Sequence, residues 1–577
     1  MRRRSSSSRS GSRNVAVRLA VAALAGGDRA SAGPAADRPA AARVLSSDRG
    51  VVVSAAPEAS RAGAEVLASG GNAMDAALAA ALALAVVYPQ AGNLAGGGFL
   101  VARTPDGAVQ ALDFRETAPA AARRDTFLGR DGRPVPGAST ASALAVAVPG
   151  SVRGYAEAHR RLGRLPWEKV VAPAERLARE GFVVPAGLSA DLAAARGLLE
   201  RWDETRRIFF PGGAPLPEGA VLRQPELAAT LGRIGKEGPE AFHGGEIAAR
   251  LSAWVRSAGG LLAEEDLAGY APVWRAPEEI RFGRLVVRTM PLPSSAGLVL
   301  RSVFAQLEAA GWTPKGRLDA RSLHLLLEAE RRAYADRNRW LGDPECVAVP
   351  LGTLLAPARL AALGASIDPV RATPSRDVQG GLAGEREETT HLSVATPDGF
   401  AVSLTTTLNG SFGNGAIVPG TGVLLNNEMD DFAVAPGVPN LYGLVQGSVN
   451  EVRPGARPLS SMAPTIVEEA GRPVLVVGSP GGSTIPTTVL QVLLRVAAGE
   501  RLEEAVAAPR LHHQHTPDVV FHERGRAPAD LLGELGRRGH SLRERGPIGQ
   551  VHAISFEGGG RLVGVADPRG YGASAAP

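Results

Sequence analysis

Glu388-Thr389-Thr390-His391-Leu392-Ser393-Val394-Ala395, then Thr396-Pro397-Asp398-Gly399-Phe400, then Ala401-Val402-Ser403-Leu404-Thr405-Thr406-Thr407-Leu408-Asn409 run without interruption in this chain. Apolar and polar residues alternate on both sides of a turn, the pattern of two half-buried antiparallel strands. Pro397 pre-sets φ, Asp398 suits the second turn position, and Gly399 supplies the positive φ of a three-residue loop. Closing Thr396 on Phe400 fixes the register and places Thr407 directly opposite Thr389. Two hydroxyls then share one face of the hairpin, about 4.5 to 5.5 Å apart at their Cα atoms and within reach of a side-chain hydrogen bond.

On the hairpin alone, a Thr-Thr pair is ordinary sheet chemistry, and the surroundings change that reading. Thr389-Thr390-His391-Leu392-Ser393-Val394 is followed by Thr407-Leu408-Asn409, by Leu424-Leu425-Asn426-Asn427-Glu428-Met429-Asp430-Asp431-Phe432, by Arg457-Pro458-Leu459-Ser460-Ser461-Met462, and by Gly478-Ser479-Pro480-Gly481-Gly482-Ser483. Together and in this order, these motifs resemble the γ-glutamyltransferase family. The resemblance implies an inactive precursor that cuts itself before a threonine, which becomes the N-terminal nucleophile of a small subunit. Thr389 is the matching position, so the cleavage site is Glu388-Thr389. It also implies an α+β fold, the four-layer αββα sandwich of N-terminal nucleophile hydrolases, built from two autoprocessed subunits.

At 577 residues the chain exceeds a single core of usual size, which predicts two or more packed lobes. Hydrophobic content of 45% and charged content of 21% are those of an ordinary globular protein. The net charge of +5 is concentrated at the N-terminus, where Arg2, Arg3, Arg4, Arg9, Arg13, Arg18 and Arg29 face a single Asp28. The rest is nearly neutral, which gives no electrostatic case for nucleic acid. Residues 1–32 read as a signal peptide, with a basic start, an apolar run from Leu19 to Ala25 and an Ala30-Ser31-Ala32 cleavage site, and this predicts a periplasmic or secreted protein. Ala76 to Val87 is too short to span a bilayer and reads as a buried helix. Cys346 is the only cysteine, which excludes an internal disulfide or a cysteine-based metal site.

Residues 33–43 read as a flexible linker, with folded sequence starting near Val51. Ala62 to Ala77 reads as helix, Gly-Gly turn and helix, and Gly96-Gly97-Gly98 as tight backbone packing before a strand rather than a phosphate cradle, since no helix follows. From about Leu144 to Leu382 the pattern is mainly helical, with an amphipathic helix over Leu323–Tyr334. Residues 371–388 lack apolar periodicity and predict an exposed, mobile connector. The large subunit is thus 33–388 and the small catalytic subunit 389–577, packed as a heterodimer.

A threonine hydroxyl needs a base to take its proton. An α-amine with a pKa of about 7.7 to 8.0 supplies one once the peptide bond before Thr389 is broken. Val474 to Ser483 reads as a strand entering a glycine turn before a helix, which presents N–H groups with nothing blocking approach. The resemblance gives Thr407 the task of orienting the nucleophile, and Gly481 and Gly482 that of holding an oxyanion. It assigns Arg115, Ser460 and Ser461 to the α-carboxylate of a γ-glutamyl group, and Asn409, Glu428 and Asp431 to its α-ammonium. Tyr442 matches the aromatic residue of a lid loop over 436–443. His512, His513 and His515 form a dense cluster that reads as structural histidines rather than a metal site. The resemblance implies no metal or organic cofactor. Its donors are glutathione and other γ-glutamyl compounds, and its acceptors are water, amino acids or dipeptides. The rivals are a cephalosporin acylase, which takes a glutaryl group lacking the ammonium, and an unprocessed homologue with no catalysis.

Overall fold

Alternation in the hairpin becomes structure in the strands Thr390–Ala395 and Ala401–Thr407, paired so that Thr390 faces Thr406 and Ala395 faces Ala401. The loop between them is closed by Thr396 N–H donating to Phe400 O at 2.9 Å, with Gly399 at φ 84°. The computed structural model describes residues 41–314, 318–378, 389–435 and 437–577. The predicted signal peptide, most of the predicted linker and residues 379–388 of the predicted connector, Glu388 among them, fall outside the described residues, as does Pro436 of the predicted lid loop.

The hairpin lies in the middle of a seven-stranded sheet. Val51–Ser54 pairs with its first strand and Gly97–Arg103 with its second, and Val109–Asp113, Val273–Arg275 and Ala573–Ala575 complete the sheet. The second seven-stranded sheet runs in the order Arg43–Ser47, Leu562–Ala566, His552–Phe556, Arg472–Gly478, Thr465–Glu469, Leu285–Thr289 and Glu278–Phe282. The sheets stack face to face. Helices Pro57–Ala68 and Ala73–Val87 cover the first, and Ala296–Ala309 and Ile485–Ala497 cover the second. This is the expected αββα order of layers.

Every residue of both hairpin strands is buried, so the half-buried expectation fails on the polar face. Leu392, Val394, Val402 and Leu404 pack toward the helix layer. The alternate residues enter a polar seam between the sheets, where burial requires hydrogen-bond partners. His391 Nδ1 is 2.8 Å from Thr405 Oγ1, Ser403 Oγ donates to Val477 O at 3.2 Å, and Ser393 Oγ donates to His552 O at 3.0 Å. Thr389 and Thr407 lie at the end of this seam.

Several expectations change. A strand already begins at Arg43 and pairs with Leu562–Ala566, so folded sequence starts earlier than the expected Val51. Residues Ala40–Pro577 form one unit rather than two or more lobes. The mainly helical region contains the hairpin Glu278–Phe282 and Leu285–Thr289, where tertiary pairing with Thr465–Glu469 overrides the helical trend. The amphipathic helix extends over Ala320–Trp340, and most of its charged side chains, Glu328, Glu330, Arg331, Arg332, Asp336 and Arg337, are buried too. Arg331 and Arg332 pair with Glu328 inside the fold, so the polar face meets protein instead of water.

The described part of the connector is anchored. Ser375 is buried and donates through its N–H to Asp518 Oδ2 at 2.7 Å, and His515 bonds to the carbonyls of Ser375 and Val378. The glycine triplet serves packing, as expected. A Cβ on Gly96 or Gly98 would collide with the carbonyl oxygens of Thr407 or Thr405.

Candidate active site

Several chain segments converge beside Thr389. Its Oγ1 is 3.5 Å from Thr407 Oγ1, the contact the hairpin register required. Thr407 Oγ1 accepts from Asn409 N–H at 2.8 Å, and the Thr407 carbonyl accepts from Asn93 Nδ2 at 2.8 Å. Thr407 is therefore held through both its hydroxyl and its carbonyl. Thr389 is 4% exposed and lines a cavity with Thr407, Arg115, Asn409, Glu428, Asp431, Ser460, Ser461, Tyr442 and Gly482.

Gly481 and Gly482 follow the strand Arg472–Gly478 and open the helical run into Ile485–Ala497. Their φ values of 133° and 45° favour glycine. N–H groups at the start of a helix have no intrahelical acceptor, so this turn is chemically suited to a developing negative oxygen. Gly482 lines the cavity, whereas Gly481 stands one residue behind it.

Arg115 follows the strand Val109–Asp113 and is 1% exposed. Its guanidinium donates to Glu428 through Nη1 and to Asp431 through Nη2, with Glu116 Oε2 3.6 Å from Nη1. The sequence reading put Arg115 at one pole of a ligand and the two carboxylates at the other. In the fold they form one buried ion cluster. Burial alone would weaken the arginine's charge, but the three carboxylates outweigh it and raise its pKa. Burial pushes Glu428 up strongly and Glu116 in the same direction, the two carboxyls facing each other. Like charges facing each other in a buried site disfavour ionisation of both, which acts in the same direction as burial.

The cluster leaves acceptors over. Asn409 Oδ1 and Glu428 Oε2 are buried without a hydrogen-bond partner, although most such atoms in proteins have one. Asn409 is held at φ 72° by its Nδ2 donating to Asn427 O at 3.0 Å. Tyr442 Oη donates to the Asn409 carbonyl at 2.6 Å, which locks the loop to the cavity wall. That loop is tied down further by Leu441 N–H on Asp430 Oδ2 at 2.7 Å and Asn440 Nδ2 on Asp431 Oδ1 at 3.1 Å. Burial raises Asp430 to about 6.

Ser460 and Ser461 reach the cavity because the Pro-rich break at 290–295 docks on them. Ser460 N–H donates to Pro293 O at 2.8 Å, and Ser295 N–H donates to Ser460 O at 2.8 Å. This Pro-rich segment is thus a support for the site. Glu116, Asp430 and Arg337 complete the surroundings, and the sequence reading gave them no role. Glu116 sits next to Arg115 in the chain. Arg337 lies on a helix whose polar residues suggested a solvent face.

The histidines bond within the protein. His512 Nδ1 is 2.8 Å from Thr487 Oγ1 and its Nε2 is 2.9 Å from Gln514 Oε1. His513 Nδ1 accepts from His515 N–H at 3.0 Å. Burial lowers His512 to about 3 and His513 to about 4, so both are neutral near pH 7. Among the described residues, no helix is long and apolar enough to cross a membrane.

The family model for gamma-glutamyltranspeptidase matches residues 59–577. This chain belongs to the gamma-glutamyltranspeptidase family. It is 42% identical over 564 residues to a glutathione hydrolase proenzyme of Escherichia coli (strain K12), covering 96% of this chain and 97% of that protein. A glutathione hydrolase proenzyme of Pseudomonas aeruginosa is 40% identical over 534 residues, covering 91% and 94%. Among solved structures, a cephalosporin acylase from Bacillus halodurans superposes with a TM-score of 0.84 at 27% identity, covering 94% of this chain and 99% of that one. A gamma-glutamyltranspeptidase from Pseudomonas nitroreducens in complex with L-DON gives 0.54 at 37% identity, over 56% of this chain and 96% of that one.

Proposed function

We propose that this gamma-glutamyltranspeptidase is a self-processing γ-glutamyltransferase and glutathione hydrolase whose nucleophile is Thr389. In the precursor, Thr389 Oγ1 attacks the Glu388 carbonyl carbon, the peptide C–N bond breaks, and water hydrolyses the resulting ester. A Glu388 carboxylate and a free Thr389 α-amine are left. The amine then takes the hydroxyl proton as Oγ1 attacks the γ-carbonyl of the donor, and delivers it to the leaving amine. Thr407 orients the hydroxyl, and the N–H groups of Gly481 and Gly482 hold the oxyanion. Water or an acceptor amine releases the γ-glutamyl ester by the same path in reverse.

The observation that carries the donor assignment is the pair of buried acceptors without partners, Asn409 Oδ1 and Glu428 Oε2. An ammonium satisfies them, whereas the glutaryl group of an acylase substrate has none to offer. The structural likeness to a cephalosporin acylase makes this the comparison to run. Hydrolysis of γ-glutamyl-p-nitroanilide should exceed that of glutaryl-p-nitroanilide by at least about 100-fold in kcat/KM. Equal rates on the two would overturn the assignment.

Strands from both sides of the 388/389 bond alternate in one sheet, with the hairpin between Val51–Ser54 and Gly97–Arg103. A cut there leaves every one of these strand pairings intact. Processed protein should give two bands on a denaturing gel, the smaller beginning at Thr389, and a single particle by size exclusion. Separation of the fragments without denaturant would contradict the interleaving. We further assign residues 1–32 as a signal peptide that directs export, which N-terminal sequencing of the larger fragment tests.

Glu428→Gln should be mild. Glu116 raises the Glu428 carboxyl, so a neutral amide in place of the Glu428 carboxyl relieves that repulsion and leaves Glu116 free to carry charge. We expect kcat/KM on γ-glutamyl-p-nitroanilide within about 5-fold of the parent. A loss beyond about 100-fold would mean that the Glu428 carboxylate itself is required.

A further inference from the structure

Gln514 stands between His513 and His515 in the histidine cluster, wholly buried and outside the lining of the cavity beside Thr389. Its side-chain amide nevertheless meets two segments that face that cavity. Oε1 lies 2.7 Å from Ser483 Oγ and 2.9 Å from His512 Nε2. Nε2 faces three carbonyl oxygens, those of Tyr442 at 3.5 Å, Gly443 at 3.4 Å and Thr516 at 3.4 Å.

These neighbours admit one orientation of the amide. Carbonyl oxygens only accept, so the group they surround is the NH2. The opposite end is then the oxygen, and the Ser483 hydroxyl and the His512 ring both donate to it. His512 is neutral, since burial lowers its pKa to about 3, and its one ring proton sits on Nε2.

Each end of the amide serves a different part of the site. Ser483 follows Gly482 in the glycine turn, and its carbonyl accepts from Tyr334 Oη on the helix Ala320–Trp340. The turn is thus held from behind through a side chain and through the backbone. Tyr442 and Gly443 belong to the loop over the cavity. Within that loop Asn440 Oδ1 accepts from the N–H groups of Tyr442 at 3.0 Å and Leu444 at 3.1 Å, so these donors are met locally while two carbonyls turn toward Gln514. Tyr442 is tied at its other end by its ring hydroxyl on the Asn409 carbonyl. Two protons shared among three carbonyls make long contacts, each weaker than a bond of ordinary length.

We propose that Gln514 is a positioning residue that sets the spacing between the glycine turn and the loop over 437–443, and so fixes how the loop closes on a bound γ-glutamyl group. It touches neither the substrate nor the reacting atoms. The inference rests on the donor reading above and adds to it a residue behind the cavity wall.

The two ends of the amide can be separated. Gln514→Glu keeps an oxygen for Ser483 and His512 and sets a second oxygen against the three carbonyls. Ser483→Ala removes the contact at the turn and leaves the loop end in place. Tyr442→Phe frees the same loop from its other anchor. The processed proteins are compared by amide hydrogen exchange over 437–446 and over 511–523, and by kcat/KM on γ-glutamyl-p-nitroanilide. Gln514→Glu should speed exchange over 437–446 by about 10-fold, with 511–523 within about 3-fold of the parent. Its kcat/KM should fall about 10-fold, as should that of Tyr442→Phe. The double variant should lose less than about 30-fold instead of the additive 100-fold or so, because either change alone releases the loop. Ser483→Ala should lower kcat/KM by about 10-fold with loop exchange within about 3-fold of the parent.

Exchange that rises equally over 437–446 and 511–523 would make Gln514 a core residue and overturn the proposal. Additive losses in the double variant would overturn it too, as would a Gln514→Glu protein within about 3-fold of the parent in both measurements. If Gln514→Glu fails to process on a denaturing gel, Gln514→Met, which carries no charge and removes both contacts, decides by the same exchange comparison and the same cycle with Tyr442→Phe. A parent that is processed yet turns over no γ-glutamyl-p-nitroanilide would instead refute the donor reading, and the exchange comparison then decides the loop contact by itself.

Discussion

Thr389→Ala should accumulate as one folded polypeptide uncut at 388/389, with turnover of γ-glutamyl-p-nitroanilide reduced by at least about 10⁴-fold. The alanine removes the atom that attacks Glu388, and thereby also prevents the α-amine from forming, so both halves of the chemistry disappear together. The fold should survive. Thr389 lies outside the paired strand Thr390–Ala395, and the substitution breaks a hydroxyl pair that is already long, at 3.5 Å. Thr389→Ser keeps the hydroxyl and loses only a methyl group, so it should process and act within about 100-fold of the parent. A denaturing gel, the N-terminal sequence of the small fragment and the anilide assay together check these outcomes. A Thr389→Ala protein that is cut at 388/389, or that turns over substrate uncut, would remove the basis of the proposed mechanism.

Arg115→Gln is expected to damage the protein as well as the reaction. The substitution leaves Glu116, Glu428 and Asp431 around a neutral side chain, with the first two fully enclosed. Breaking a buried ion cluster from one side costs about 3–5 kcal/mol, because the remaining charges lose their partner without regaining water. Urea denaturation should show that loss as a lower midpoint at unchanged slope. Adding Glu428→Gln to Arg115→Gln removes one of the stranded carboxyls and should restore part of the stability, about 1–2 kcal/mol. A single Arg115→Gln variant within about 1 kcal/mol of the parent would show that the cluster is already solvated or neutral, and that its tight pairing adds little.

Much of this site could be read in the chain because its central geometry is local. A three-residue loop and the two-residue period of a strand fix which residues oppose one another, so Thr389 and Thr407 met without knowledge of any other segment. The glycine turn at 481–482 was legible for the same reason, since a positive φ and a following helix leave a mark in sequence. Ser460, Ser461, Asn409, Glu428 and Asp431 were found by motif, and the fold brings all of them to the one cavity.

What failed to show in sequence depends on what lies across a boundary. Polar residues at alternate hairpin positions read as a solvent face, yet His391, Ser393, Ser403 and Thr405 are buried between two sheets that pair their hydroxyls and rings. The charged stripe of Ala320–Trp340 read the same way and proved interior. A residue's polarity states that it needs a hydrogen-bonding partner, and only the fold states whether that partner is water or protein.

By itself, then, the sequence determined the hairpin register, the opposed threonines, the glycine turn and the segments that supply the cavity. Local backbone geometry and residue spacing suffice for the first three, and the family resemblance supplied the last. The tertiary structure alone decided how the charges are shared. Arg115 joins its neighbouring carboxylates, and Arg337, brought in by a helix far away in the chain, has no carboxylate beside it among the described residues. Coulomb interactions in a buried site depend on distance through space and on the exclusion of water, and a linear sequence records neither.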